Sequence, residues 1–80
     1  MDILLFQLEK NGGKPLYDQL YSGIKEAIIT KKITVGEKLP SKRKLADFLN
    51  ISQTTIEIAY AQLLAEGYII SKSRVFCRGY

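Results

Sequence analysis

Leu39-Pro40-Ser41-Lys42-Arg43-Lys44-Leu45-Ala46, carried on through Asn50-Ile51-Ser52-Gln53-Thr54-Thr55-Ile56, holds two helix starts in close succession. Pro40-Ser41 reads as the first, with Ser41 as N-cap. Lys42, Arg43 and Lys44 fill the turn that follows. A helix N-terminus carries partial positive charge, so each cation there costs about a few tenths of a kcal/mol. Three in a row point to an anion outside the protein. Ser52 caps the second start, and Gln53, Thr54 and Thr55 follow it, polar and without bulky apolar groups. A basic helix start beside a small polar one suits a helix-turn-helix. One end then meets phosphate and the other meets base edges.

Upstream, Leu16, Leu20, Ile24 and Ile28 repeat every four residues, with Tyr17, Tyr21 and Ala27 alongside. This predicts an amphipathic helix over about 16–30, or 15–31 with its ends. Pro15 opens it at the first position, where its missing N–H costs nothing. Lys31 and Lys32 suit the dipole at its far end, a simpler account than contact with DNA. Residues 3–8 look extended and apolar, and Asn11-Gly12-Gly13 breaks them off, so 1–14 reads as an extended N-terminal segment. Val35-Gly36 is a turn, and Glu37-Lys38-Leu39 a very short strand.

The second helix lies within 41–50 and buries Leu45, Ala46 and Leu49. Asn50 supplies a left-handed stop, and Ile51 plugs the turn. The third helix, within 52–66, buries Ile56, Ala59, Tyr60, Leu63 and Leu64, and Gly67 ends it. Tyr68-Ile69-Ile70 and Val75-Phe76-Cys77 form a hairpin within 68–80 around the basic tip Lys72-Ser73-Arg74. The strand pattern runs on to Gly79-Tyr80, where the chain stops abruptly. The expected fold is mainly α (α+β): a winged helix-turn-helix of three helices plus a small β-hairpin wing, in one domain over 1–80.

Composition narrows the function. Eighty residues make one small domain with a thin stability margin. A single cysteine rules out an internal disulfide and suggests a reducing, cytoplasmic setting. The absence of histidine removes His-based acid–base catalysis and His-containing zinc sites. The net charge of +4 leans toward a polyanionic partner. No apolar run approaches the ~20 residues that cross a bilayer. Ile3-Leu4-Leu5-Phe6 is too short for a signal-peptide core and follows Asp2, so no membrane role is expected.

The candidate binding residues lie on the second and third helices and the hairpin tip. Gln53, Thr54, Glu57 and Ala61 share the side of the third helix opposite its apolar set. Gln pairs bidentately with adenine, Thr bonds bases or touches a thymine methyl, and Glu accepts from cytosine N4. Thr54 and Thr55 are β-branched and mediocre helix formers, so two in one first turn read as base or phosphate contacts. Ser52 serves as cap and contact together. Glu57 repels phosphate unless it meets a cytosine or orients a cation. Arg43 is the best phosphate candidate, because guanidinium binds phosphate oxygens bidentately, and Lys42 stands beside it. Lys44 reads equally as a solvated charge. Lys72 and Arg74 either reach the flanking minor groove and its phosphates or only keep the tip soluble. Tyr60, Tyr68 and Phe76 offer rings for base stacking, but their spacing assigns them to the core. No nucleophile with a base, metal cluster or phosphate-binding glycine loop is present. The reading is therefore a non-enzyme that needs no cofactor in this domain, with Cys77 a small strand residue.

The run from Leu39 to Ala46, then Asn50 to Ile56, Ala59-Tyr60, Leu63 and Glu66-Gly67-Tyr68, resembles the DNA-binding domain of GntR-family transcription regulators. Pro15-Leu16-Tyr17 and Gln19-Leu20 fit the same pattern, and the resemblance covers about residues 3–72. Ser52-Gln53-Thr54-Thr55-Ile56-Glu57 and the Tyr-rich first helix look most like the MocR branch. The resemblance implies sequence-specific binding to double-stranded DNA in a bacterial regulator, repressor or activator, with the recognition helix in the major groove. It carries Arg43, Ser52, Gln53, Thr54 and Thr55 over as DNA contacts and Lys72 to Arg74 as the wing. It also implies a C-terminal aminotransferase-like domain, absent from this chain, that binds pyridoxal phosphate and makes the full-length protein a homodimer. This chain is then a fragment, a monomer or weak dimer by itself. Two departures stand out. The family often has Arg where Gln53 stands and a basic residue at Glu57, and its glycine-rich wing tip is missing here. The alternative is a winged helix used for protein–protein interaction.

Overall fold

The computed structural model describes residues 13–72 and 74–78. It contains helices α1 (Leu16–Ile29), α2 (Lys42–Leu49) and α3 (Gln53–Ala65), then strands β1 (Ile69–Ser71) and β2 (Val75–Cys77). The extended stretch expected at 3–8, the glycine turn's Asn11 and Gly12, Ser73 and the chain end at 79–80 lie outside the described residues. Pro15 takes the cap position of α1, one residue before its first helical residue. Leu20, Ile24, Ala27 and Ile28 then form the buried stripe that the four-residue spacing requires.

Each turn is closed by a specific backbone device. Past α1, Lys31 is left-handed at φ 64, a conformation commoner for Gly or Asn. The Ile33 N–H then donates to the Ala27 carbonyl at 3.1 Å, and Ile33 enters the core at 2% exposure. Asn50 ends α2 at φ 56, and the Ile51 N–H reaches back to the Ala46 carbonyl at 3.1 Å. The pair α2–α3 therefore turns within three residues, and both helices pack on the same core. α3 lies at the centre, against both α1 and α2. Leu20, Ile24, Leu45, Ile56, Ala59 and Leu63 are wholly buried in one contiguous cluster.

Two expectations need correcting here. Leu64 is 45% exposed. Ile56, Ala59, Tyr60 and Leu63 already make the buried stripe, and the next residue turns about 100° away from it. The first strand begins at Ile69 rather than Tyr68. The Tyr68 N–H closes α3 by donating to the Leu63 carbonyl at 3.0 Å, after Gly67 turns at φ 83, so Tyr68 meets the hairpin through its carbonyl alone, which accepts from the Arg78 N–H at 2.9 Å.

The hairpin is antiparallel, with Ile69 opposite Cys77, Ile70 opposite Phe76 and Ser71 opposite Val75. Ile69 and Cys77 face the core, at 2% and 1% exposure. The short strand expected at 37–39 pairs with the outer side of β2 through a bridge between Lys38 and Phe76. Flanking it, the Cys77 N–H donates to the Glu37 carbonyl at 2.8 Å and the Leu39 N–H to the Val75 carbonyl at 2.9 Å. The wing is thereby sewn to the segment that leads into α2.

Candidate nucleic-acid interface

Both helix starts are capped as their sequences require. Ser41 Oγ accepts from the Lys44 N–H at 3.2 Å, and Ser52 Oγ accepts from the Thr55 N–H at 3.2 Å. Each cap satisfies one backbone donor from within the chain and leaves the rest of that helix end to solvent or a ligand. Tyr60, two turns into α3, ties that helix to the segment leading into α2. Its ring is buried and its hydroxyl donates to the Pro40 carbonyl at 2.8 Å, across 20 residues of sequence. Burial pushes the Tyr60 pKa well up, so the hydroxyl keeps its proton and the bond persists across the physiological range.

These ties shape an open groove of about 520 Å³ between the α2 start, the α3 start and the wing. Its walls are residues 38–44, Gln53, Arg74 and Val75. Among the described residues, five of them are cations (Lys38, Lys42, Arg43, Lys44 and Arg74), and no carboxylate lines the groove. Such a surface concentrates positive potential in a concave site, which attracts and orients a polyanion. The groove unites most of the cations chosen from sequence with Gln53.

The remaining candidates take other places. Ser52, Thr54 and Glu57 are exposed along α3. Thr55 is half-buried, and its Oγ1 lies 3.2 Å from Ser52 Oγ, so its hydroxyl belongs to the cap cluster. Glu57 lines a smaller crevice of about 120 Å³ with Lys42, Ala61 and Leu64, between α3 and the wing. Lys72 is exposed at the hairpin tip, where its N–H donates to the Arg74 carbonyl at 3.0 Å and narrows the turn. Of the three rings, Tyr60 is core, and Tyr68 and Phe76 are half-buried.

Two features of this surface and its support have no local sequence signal. Lys38 joins the groove only because residues 37–39 pair with a strand almost forty positions later, and no local pattern announces that pairing. The Tyr21 hydroxyl donates to Glu66 Oε1 and ties α1 to the far end of α3. That carboxylate, then burial, raises the Tyr21 pKa. Lys25 sits over the rings of both Tyr21 and Tyr68, 5.6 Å from each centre. Among the described residues, no cluster of three or more His, Cys, Asp or Glu could hold a metal ion, and no helix is long and apolar enough to cross a membrane.

Comparison with known proteins gives a consistent picture. Residues 16–78 match the family "Bacterial regulatory proteins, gntR family". The chain is 51% identical over 75 residues to an uncharacterised HTH-type transcriptional regulator, YhdI of Bacillus subtilis, covering 94% of this chain and 16% of that protein. Among solved structures it resembles YtrA of Sulfolobus acidocaldarius, a GntR-family transcription factor, with a TM-score of 0.89 and 30% identity over 95% of this chain and 82% of that one. It also resembles the DNA-binding domain of AraR solved in complex with operator ORE1, with a TM-score of 0.75 and 26% identity over 89% of each chain.

Proposed function

The chain belongs to the gntR family of bacterial regulatory proteins, and from that premise we propose that it binds duplex DNA sequence-specifically, with α3 in the major groove. The observation that carries this reading is the cationic groove: among the described residues, five Lys or Arg side chains, and no acid, beside the exposed polar start of α3. Arg43 and Lys42 take phosphate oxygens and fix the register. Gln53 and Thr54 reach base edges from the first turn of α3, and Ser52 reaches phosphate or base while it caps that turn. Arg74 and Lys72 bring the wing to the flanking backbone. Thr55 contributes through the Ser52 cap, and Glu57 meets a base or orients Lys42, with which it shares the smaller crevice.

The chain spans 16% of the length of YhdI. In the whole protein we assign dimerisation and ligand sensing to the remainder, which on the MocR-like pattern is an aminotransferase-like domain with pyridoxal phosphate. The cytoplasm, where chromosomal DNA lies, is its place of action, and catalysis is no part of this domain's role.

About four to six phosphate contacts per domain give a fall of log affinity with log salt of slope roughly −4 to −5. Fluorescence anisotropy of the chain on a labelled random-sequence duplex measures this directly. A flat salt response overturns the reading and redirects the search to a protein partner.

A further inference from the structure

We propose that Lys38 is a further phosphate contact, placed between those of the α2 start and the wing tip. This rests on the reading of the groove as the DNA surface. Three observations carry it. Lys38 lines the groove with Arg43 and Arg74, and it is exposed. The residues before and after it are bonded to β2, through the Glu37 carbonyl and the Leu39 N–H, and Leu39 is buried at 1% exposure. The ammonium is therefore carried on a fixed strand rather than a loose tail, which lowers the ordering cost of each contact it makes. Finally, among the described residues no carboxylate pairs with Lys38, and none lines the groove, so the charge is left for an external anion.

The placement gives Lys38 a particular role. The strand it occupies joins the wing directly to Pro40, whose carbonyl is fastened to Tyr60 of α3. A phosphate held at Lys38 therefore sits at the junction of wing, α2 start and recognition helix. It positions the duplex without reading sequence, because an ammonium is a point charge with no preference among bases.

The test is a salt series of anisotropy titrations with the 80-residue chain and a labelled random-sequence duplex. The variants are Lys38→Ala, Lys38→Met, Arg43→Ala and Lys32→Ala. Lys38→Met keeps the apolar stem and removes the charge. Lys32 is exposed beyond α1 and does not line the groove, so Lys32→Ala controls for net charge alone. Both Lys38 variants are expected to lose affinity several-fold and to shallow the salt slope by about 0.9, the share of one phosphate. Lys32→Ala is expected to keep the slope. If the Lys38 variants match wild type or merely match Lys32→Ala, while Arg43→Ala loses slope, Lys38 is no contact and the DNA reading stands. If wild type itself shows no salt dependence, the DNA reading fails and Lys38 falls with it.

Discussion

Leu63→Ala is expected to lower the melting temperature of the chain by roughly 12–24 °C, from a cost of about 3 kcal/mol at about 4–8 °C per kcal/mol. Leu63 is wholly buried in α3, the helix that packs against both others. Truncating it removes apolar burial and leaves a cavity in the common core. A domain of 80 residues has a total stability of about 4–12 kcal/mol, so the loss is a large share of the whole. Its neighbour is the matching control. Leu64→Ala removes the same atoms at a position 45% exposed and is expected to cost under about 1 kcal/mol. Thermal unfolding followed by circular dichroism measures both. Equal losses at the two positions would mean that the buried face of α3 is misassigned.

That pair also marks how much of the fold was legible in the sequence. The caps at Ser41 and Ser52, the left-handed Asn50 and the turn at Gly67 are local events, and local chemistry announces them. The face of α1 is equally plain, because its apolar residues keep one period. The face of α3 is blurred: Ile58 and Leu64 are apolar yet 44% and 45% exposed, so periodicity alone could not exclude Leu64 from the core. At the interface, the cations of the α2 start were visible because they violate the dipole rule. Their meeting with Gln53 and Arg74 in one groove was not visible, nor was the presence of Lys38, because long-range strand pairing sets both. The Tyr21–Glu66 tie, across 45 residues, was hidden for the same reason.

Arg43→Ala is expected to weaken duplex binding by roughly 10–100-fold, the loss of a charged hydrogen-bonding contact worth about 1.5–3 kcal/mol. The salt slope falls with it by about 0.9. Arg43→Lys restores the slope and only part of the affinity, because an ammonium cannot reproduce bidentate pairing. Stability should move the other way. Arg43 is exposed in the first turn of α2, and the cap there joins Ser41 to the Lys44 N–H without its help. Removing a cation from a helix start is expected to stabilise the chain by about a few tenths of a kcal/mol. Weaker binding with unchanged or higher stability distinguishes loss of a contact from loss of the fold.

On the proposed binding mode, α3 reads bases while the α2 start holds phosphate. It is tested most directly by selecting preferred sites from a randomised duplex pool with the wild-type chain and comparing selections with Gln53→Ala and Arg43→Ala. Gln53→Ala is expected to relax preference at one or two adjacent base pairs, at about 1–3 kcal/mol of lost discrimination. Arg43→Ala should leave the preferred sequence intact and weaken every site alike. An unchanged preference profile with Gln53→Ala, or a profile altered by Arg43→Ala alone, overturns this assignment.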